Sequence, residues 1–331
     1  MRLVALGALL FAVYLAGLGI DPAAGEEVTY RLIANALIED GQLVREPEGL
    51  GFPLLIAPAE ALGVVEPFLA AVAALGFVLG AVLARRIVPE PYASGGALLV
   101  GLSPPAVAHA GAIAPGMTAG TLLAGAMVCA VGAREAAGAA RVLGAAALLA
   151  VLPWLDPLLV IPALPVAVAL FMWCRLARRP TLALIAAELI VGSIVVYATV
   201  NEQLFGQPTP GPVTDAVDGA PGLVWTPILA LAVLAAWRLW RSRREQLARA
   251  IPARATAEAA AGLALAVCAA QLLVAVLLVA EPPEEPFPGR ELTPMLPAAA
   301  ALVAWGLRHA PRIGAALGAV TVGLSVWVLF G

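Results

Sequence analysis

The chain is 331 residues long, 62% hydrophobic and only 12% charged, with a mean hydropathy of +0.96. No water-soluble domain of this size needs so much apolar surface, so a soluble enzyme is excluded and the bilayer is the expected solvent. The formal net charge of −3 averages over two unlike faces: all nineteen basic residues are arginine, and sixteen lie near the N-terminus or in five clusters between long apolar runs.

The clusters (Arg85 and Arg86; Arg134 and Arg141; Arg175, Arg178 and Arg179; Arg238 to Arg254; Arg308 and Arg312) occupy alternate gaps. Arg31, Arg45 and Arg290 fall in the other gaps, with most of the acids. Such alternation marks a multi-pass membrane protein whose arginines stay on the cytoplasmic side. It predicts an all-α fold of about eleven transmembrane helices in a single domain over 1–331, with no soluble domain, in the plasma (inner) membrane. The N-terminus is expected in the cytoplasm and the C-terminus outside, which leaves seventeen of the twenty-two acids on the outer face.

Residues 3–20 read as the first span, behind Arg2. A cleaved signal peptide competes with that reading, but the run is long for one and no clean small-x-small site follows. The outer loop 21–65 predicts an amphipathic helix over 27–39, with Val28, Leu32, Ile33, Ala36 and Leu37 near one face and Gly41 to end it. A second apolar piece, Gly51 to Leu62, is too short to span and should lie along the interface. Spans follow at 67–84, 93–112 and 117–133. Residues 142–174 lie between two arginine groups and must cross an even number of times. Two arms of about 14 residues reach roughly 21 Å each against a core of ~30 Å. The Leu-Pro-Trp-Leu-Asp-Pro turn at 152–157 is therefore recessed below the outer surface. That leaves Asp156 at membrane depth, where an ionisable group is a candidate functional residue. Further spans are predicted at 181–200, 223–240, 259–280, 292–307 and 313–330. They are separated by outer loops 201–222 and 281–291 and a basic cytoplasmic loop at 238–258. The 201–222 loop is too rich in Pro and Gly for regular structure.

Several residues carry a structural reading beside a functional one. Asp156 could cap the helix after it. His109, near the outer end of a span, reads equally as a buried, hydrogen-bonded histidine or as a cavity group. Glu188, two turns into its span, snorkels or pairs with an arginine, and Gln271 suits an interhelical hydrogen bond. Cys129, Cys174 and Cys268 lie in apolar stretches and read as small hydrophobes. No P-loop, zinc motif, dinucleotide fingerprint or nucleic-acid patch is present, and no cofactor is expected. The Glu-Pro-Pro-Glu-Glu-Pro run at 281–286 could attract a divalent cation, although a solvated loop explains it as well.

Six segments resemble, in order, a known family. Gly25-Glu26-Glu27-Val28-Thr29-Tyr30 follows the first span and leads into a juxtamembrane helix, and Gly51-Phe52-Pro53-Leu54-Leu55 opens a second. Leu102-Ser103-Pro104-Pro105 precedes Ala114-Pro115, and Leu152-Pro153-Trp154-Leu155 and Leu204-Phe205-Gly206-Gln207-Pro208-Thr209-Pro210 come next. Last is Pro288-Gly289-Arg290, followed by Leu292-Thr293-Pro294-Met295-Leu296-Pro297. Together they resemble the GT-C superfamily of membrane glycosyltransferases, including its protein mannosyltransferase and aminoarabinose transferase-like groups, as a short and divergent member.

The resemblance implies transfer of a sugar from a polyprenyl-phosphate donor to a lipid, glycan or protein acceptor on the outer face. Glu26 would be the catalytic base with Glu27 beside it, Arg290 would hold the donor phosphate, and Tyr30, Asp156 and His109 would border the cavity. A carboxylate can take the acceptor hydroxyl's proton, and a guanidinium can hold the leaving phosphate bidentately. Two positions depart from the family pattern. Glu26 stands where relatives carry Asp, and Gly116 follows Pro115 where many carry an acid. Two readings compete with the enzyme: an inactive GT-C-like scaffold or lipid-glycan binder, and, in a different class, a transporter, for which no internal repeat is found.

Overall fold

The computed structural model describes residues 2–18, 24–40, 51–136, 138–206, 223, 225–242, 252–278 and 289–330, and every regular element among them is a helix. The chain runs through α1 (Arg2–Ala16), α2 (Ala24–Asp40), α3 (Gly51–Ala61), α4 (Val65–Ala84), α5 (Tyr92–Gly101), α6 (Pro104–His109) and α7 (Pro115–Glu135). It continues through α8 (Ala139–Leu155), α9 (Val160–Leu176), α10 (Pro180–Phe205), α11 (Ala230–Ser242), α12 (Pro252–Leu277), α13 (Leu296–His309) and α14 (Pro311–Phe330). Short 3-10 turns at Pro157–Leu159, Pro227–Leu229 and Arg290–Met295 lead into α9, α11 and α13. Six stretches are long and apolar enough to cross a membrane: α4, α7, α9 with its leading turn, α10, α12 and α14. Helix length and composition thus support six crossings where the arginine pattern predicts eleven; α1, α5, α8 and Pro227–Arg238 are apolar but shorter.

The expected span at 93–112 is broken in two, and the reason is local. Pro104 and Pro105 have no N–H to offer the carbonyls of Val100 and Gly101 four residues back. Ser103 turns to an extended backbone, and its hydroxyl donates to the Val100 carbonyl at 2.7 Å. The Tyr14 hydroxyl of α1 donates to the Gly101 carbonyl at 2.8 Å, and Ser325 of α14 donates to that of Leu102. In an apolar solvent each freed carbonyl must find such a donor, so the break is built into the bundle.

The centre of the bundle is α13, where Leu296 to Ala304 are all buried among α4, α5, α7, α11 and α12. A Cβ on Gly80 of α4 would lie 2.4 Å from the Pro297 carbonyl oxygen, and one on Gly96 of α5 would lie 2.6 Å from the Ala304 backbone. Apolar helices gain little from leaving lipid for one another, so close van der Waals approach over small residues holds them together. The periphery is different: 17% of the most apolar window of α10 is buried, against 78% in α7.

One end of the bundle gathers the arginines. Arg86, after α4, pairs with Glu135 at the end of α7. Arg134 donates to the Ala255 carbonyl near the start of α12 and lies 5.8 Å over the Trp173 ring near the end of α9. Arg141 of α8 donates to the Gly132 carbonyl at 2.8 Å. The start of α8 and the end of α9 therefore share one end, as the even-crossing argument requires. The arms are longer than predicted: α8 has 17 residues, about 25 Å at 1.5 Å rise.

Candidate functional site

At the end opposite the arginines, α2, α3 and α4 are clamped by one cation. The Arg31 guanidinium donates to Glu66 at the start of α4 and lies 3.6 Å from Glu60 of α3. The Glu60 side chain is only 12% exposed, so leaving it unpaired would be costly. Glu26 and Glu27 belong to the first turn of α2, and their side chains lie outside the described residues. By the helix rise, Glu26 stands about 7.5 Å along α2 from Arg31. Tyr30 is buried, its ring 5.1 Å from that of Phe52 in an edge-on contact that packs α2 on α3.

A second group forms around Arg290. Gly289 takes φ +116, a left-handed conformation that suits glycine, and starts the 3-10 turn Arg290–Met295. Thr293 is buried, and its hydroxyl donates to the Arg290 carbonyl at 2.6 Å. Gln271 of α12 donates through Nε2 to the Glu291 carbonyl at 2.9 Å, so the hydrogen bond expected of it joins a helix to a turn. Arg290 itself is half-buried. The same turn packs against α6, whose last residue, His109, is buried, and against α7. The α7 contact is close: a Cβ on Gly116 would lie 2.1 Å from Thr293 Oγ1 and 3.6 Å from the Arg290 carbonyl oxygen. A side chain at position 116 would therefore press on the Arg290 turn.

The two groups adjoin. A Cβ on Gly111, in the stretch joining α6 to α7, would lie 3.9 Å from the Glu66 Cβ. That stretch runs directly into Pro115 and Gly116. The N-terminal acidic helix and the Arg290 turn are therefore connected at one end of the bundle through Arg31, Glu66, Gly111 and Gly116.

Asp156 belongs to a third group. Its carboxylate accepts from the Leu158 amide at 2.8 Å, which caps the 3-10 turn and realises the structural reading of this residue. Next to it, the Trp154 indole donates to Ser193 of α10 at 2.9 Å, and Ser193 donates to the Ala150 carbonyl at 2.6 Å. The Trp154 ring also meets Tyr197 edge-on at 5.6 Å. Ser193 is halfway along the 26-residue α10 and Tyr197 one turn further on, so about 12 Å of α10 continues beyond the contact with the turn. The start of α3 rests on it: a Cβ on Gly51 would lie 2.1 Å from the Trp154 carbonyl oxygen.

Sequence reasoning passed over Arg31, Glu60, Glu66 and Thr293. Arg31 carried a usable signal, since it breaks the charge alternation just as Arg290 does. The 281–286 acidic run, the 207–222 part of the outer loop and Arg45 lie outside the described residues. Among the described residues, no three His, Cys, Asp or Glu side chains gather as a metal site. Glu188 is exposed on the outer surface of α10. No protein-family model matches the chain, and no curated protein does either.

Proposed function

We propose that the chain is a GT-C-like membrane glycosyltransferase that moves a sugar from a polyprenyl-phosphate donor to a lipid, glycan or protein acceptor at the outer face. In this reading the arginine end is cytoplasmic, the chain crosses the plasma (inner) membrane eleven times, the N-terminus is inside and the C-terminus outside. The five crossings beyond the six long helices use α1, α5 with α6, α8, α11, and α13 with its leading turn. The observation that carries the proposal is the contact path from α2 to the Arg290 turn. It places the helix bearing Glu26 and the half-buried Arg290 at one end of the bundle, beside lipid-facing helices.

A lipid-linked donor keeps its tail in the bilayer and its phosphate at the interface, where a guanidinium stabilises the charge that grows as the sugar leaves. Glu26 removes the acceptor's proton as its oxygen attacks, and holding both reactants in place supplies much of the acceleration. Arg31, tied to Glu60 and Glu66, acts as a positioning residue by fixing α2. The test is release of polyprenyl phosphate from a polyprenyl-phosphate sugar by the purified chain in proteoliposomes. Glu26→Gln and Arg290→Ala each abolish it with unchanged expression and thermal stability. Undiminished release by Glu26→Gln removes Glu26 as the base.

One observation favours the second reading, a binder without catalysis. Gly116, packed against Thr293, closes the position where relatives carry a second acid. That reading predicts saturable binding of the lipid-linked sugar by the native chain with no release of polyprenyl phosphate.

A further inference from the structure

Between α9 and α10 the bundle carries a groove of about 310 Å³ whose walls are apolar throughout. It runs from Met172 and Ala183, one turn from the arginine end, to Val160 and Ile194. The twelve residues from Ala183 to Ile194 make it about 17 Å long, close to one leaflet of a ~30 Å core. Its rim opens to the surroundings, for Leu164, Val168 and Val191 are each more than half exposed.

The mouth of this groove is strongly basic. Arg175, Arg178 and Arg179 join α9 to α10 and are all exposed. The Arg175 guanidinium lies 5.8 Å over the ring of Phe171, itself a wall residue of the groove, so the charge stands directly at the opening. No carboxylate among the described residues pairs with any of the three. Elsewhere at the same end, Arg85 pairs with Glu90 at 2.6 Å and Arg86 pairs with Glu135. Glu188, the acid nearest in sequence, sits on α10 but is not a wall residue. Three uncompensated guanidiniums above an apolar slot one leaflet deep are complementary to an anionic phospholipid. A phosphate forms charge-assisted hydrogen bonds with guanidinium groups, and basic pockets between membrane helices recognise such headgroups.

We propose that the α9–α10 groove is a binding site for an anionic phospholipid, with one acyl chain between the helices and the headgroup phosphate on Arg175, Arg178 and Arg179. The site lies at the end of the bundle remote from Arg290, so it stands whether or not the chain transfers sugar.

Native mass spectrometry of the full chain in detergent tests this, with dioleoylphosphatidylglycerol and dioleoylphosphatidylcholine as probes. Each arginine gains roughly fivefold from a net negative headgroup, a charge that the choline cation cancels in the zwitterionic lipid, so the intact chain should retain the glycerol lipid on the order of a hundredfold better than the choline lipid. Arg175→Gln combined with R178N and R179Q should bring the ratio close to one; asparagine at 178 suits the φ of +56 found there. Ala187→Trp fills the groove and leaves every arginine in place. It should lose the bound lipid while keeping its circular dichroism and thermal midpoint, which separates a filled site from a misfolded chain. Equal retention of both lipids by the intact chain overturns the proposal, as does selectivity that survives either variant. Preferential retention of undecaprenyl phosphate over the glycerol lipid also overturns it.

Discussion

Replacing Gly116 by alanine measures how tightly the Arg290 turn is held. The new Cβ would lie 2.1 Å from Thr293 Oγ1, 3.4 Å from Thr293 Cβ and 3.6 Å from the Arg290 carbonyl oxygen, so the severe clash falls on one hydroxyl. Relief requires either a rotation of Thr293, which breaks its 2.6 Å hydrogen bond to Arg290, or a shift of the whole turn away from α7. Overpacking of this kind costs about 1–3 kcal/mol, and losing the Thr293–Arg290 hydrogen bond adds about 0.5–1.5 kcal/mol. Alanine's helix preference returns at most ~1 kcal/mol. The net loss should be about 1–4 kcal/mol. Thr293→Ala alone loses the hydrogen bond, about 1–2 kcal/mol, but also removes the clashing atom. The double variant should therefore be no less stable than Thr293→Ala alone, a coupling of about 2 kcal/mol between the sites. Equilibrium unfolding in mixed dodecylmaltoside–dodecylsulfate micelles reads all four corners of the cycle. Costs that add to within ~0.5 kcal/mol would refute the packing argument.

Three other outcomes follow from the same contacts. Arg31→Met should cost about 1–3 kcal/mol, because it strips Glu60, only 12% exposed, of its cation, whereas the one-third-exposed pair with Glu66 adds little. The same variant should lower transfer or donor binding sharply by releasing α2, and an unchanged rate with an unchanged Tm would deny Arg31 a positioning role. Ser325→Ala should cost about 1–2 kcal/mol by stripping the Leu102 carbonyl of its donor, whereas Thr199→Ala on the exposed face of α10 should cost nearly nothing; thermal unfolding in detergent compares them. For Glu90, burial pushes the carboxyl up, but hydrogen bonds from the Ser94 hydroxyl and amide and from Arg85 outweigh it and hold the group below its ordinary value of 4.5. A depressed folded value contributes stability that is complete above about 4.5 and lost as pH falls through the lower folded value. Wild type should thus exceed Glu90→Gln in Tm at neutral pH and converge with it in acid; a gap that persists at pH 3 contradicts the pairing.

The sorting of helix ends was legible because the rule behind it acts on each loop separately. Arg86, Arg134 and Arg141 needed no tertiary information to be assigned to one face, and they meet there. The hairpin over 142–174 followed from the same counting, with arms underestimated because α8 and α9 run on past Arg141 and Arg175 into the arginine groups. The capping role of Asp156 was also open to inference, since an aspartate before Pro-Leu-Leu is a local signal. The break at 103–105 was visible as two adjacent prolines, yet continuous hydropathy across 93–112 masked it. What could not be read was anything that joins distant segments. Arg31 lies 35 residues from Glu66, and nothing in the intervening run announces the pair. Thr293 against Gly116 is a contact between surfaces that neither segment specifies alone.

Ion pairs and close contact over glycine act at both ends of this bundle, and their balance bears on where chemistry can occur. The arginine end relies on ion pairs, guanidinium–carbonyl contacts and rings, all exposed or half-exposed, so each is individually weak and tolerant of change. The opposite end adds to the Arg31 clamp close contact over glycine: a Cβ on Gly51 would run into Trp154, one on Gly116 into Thr293, and one on Gly120 would lie within 3.1 Å of the Pro294 and Thr293 carbonyl oxygens and of Pro297 Cδ. Such contacts permit almost no displacement, because a shift of half an ångström is already felt in close packing. Arg290, Gln271 and Thr293 are thereby held close to one arrangement, the kind of rigidity that electrostatic stabilisation of a transition state would use. A chain that needed only to span the bilayer could close this end with leucines. Here, prolines and glycines hold an arginine half-buried at the end of the bundle to which α2 is clamped.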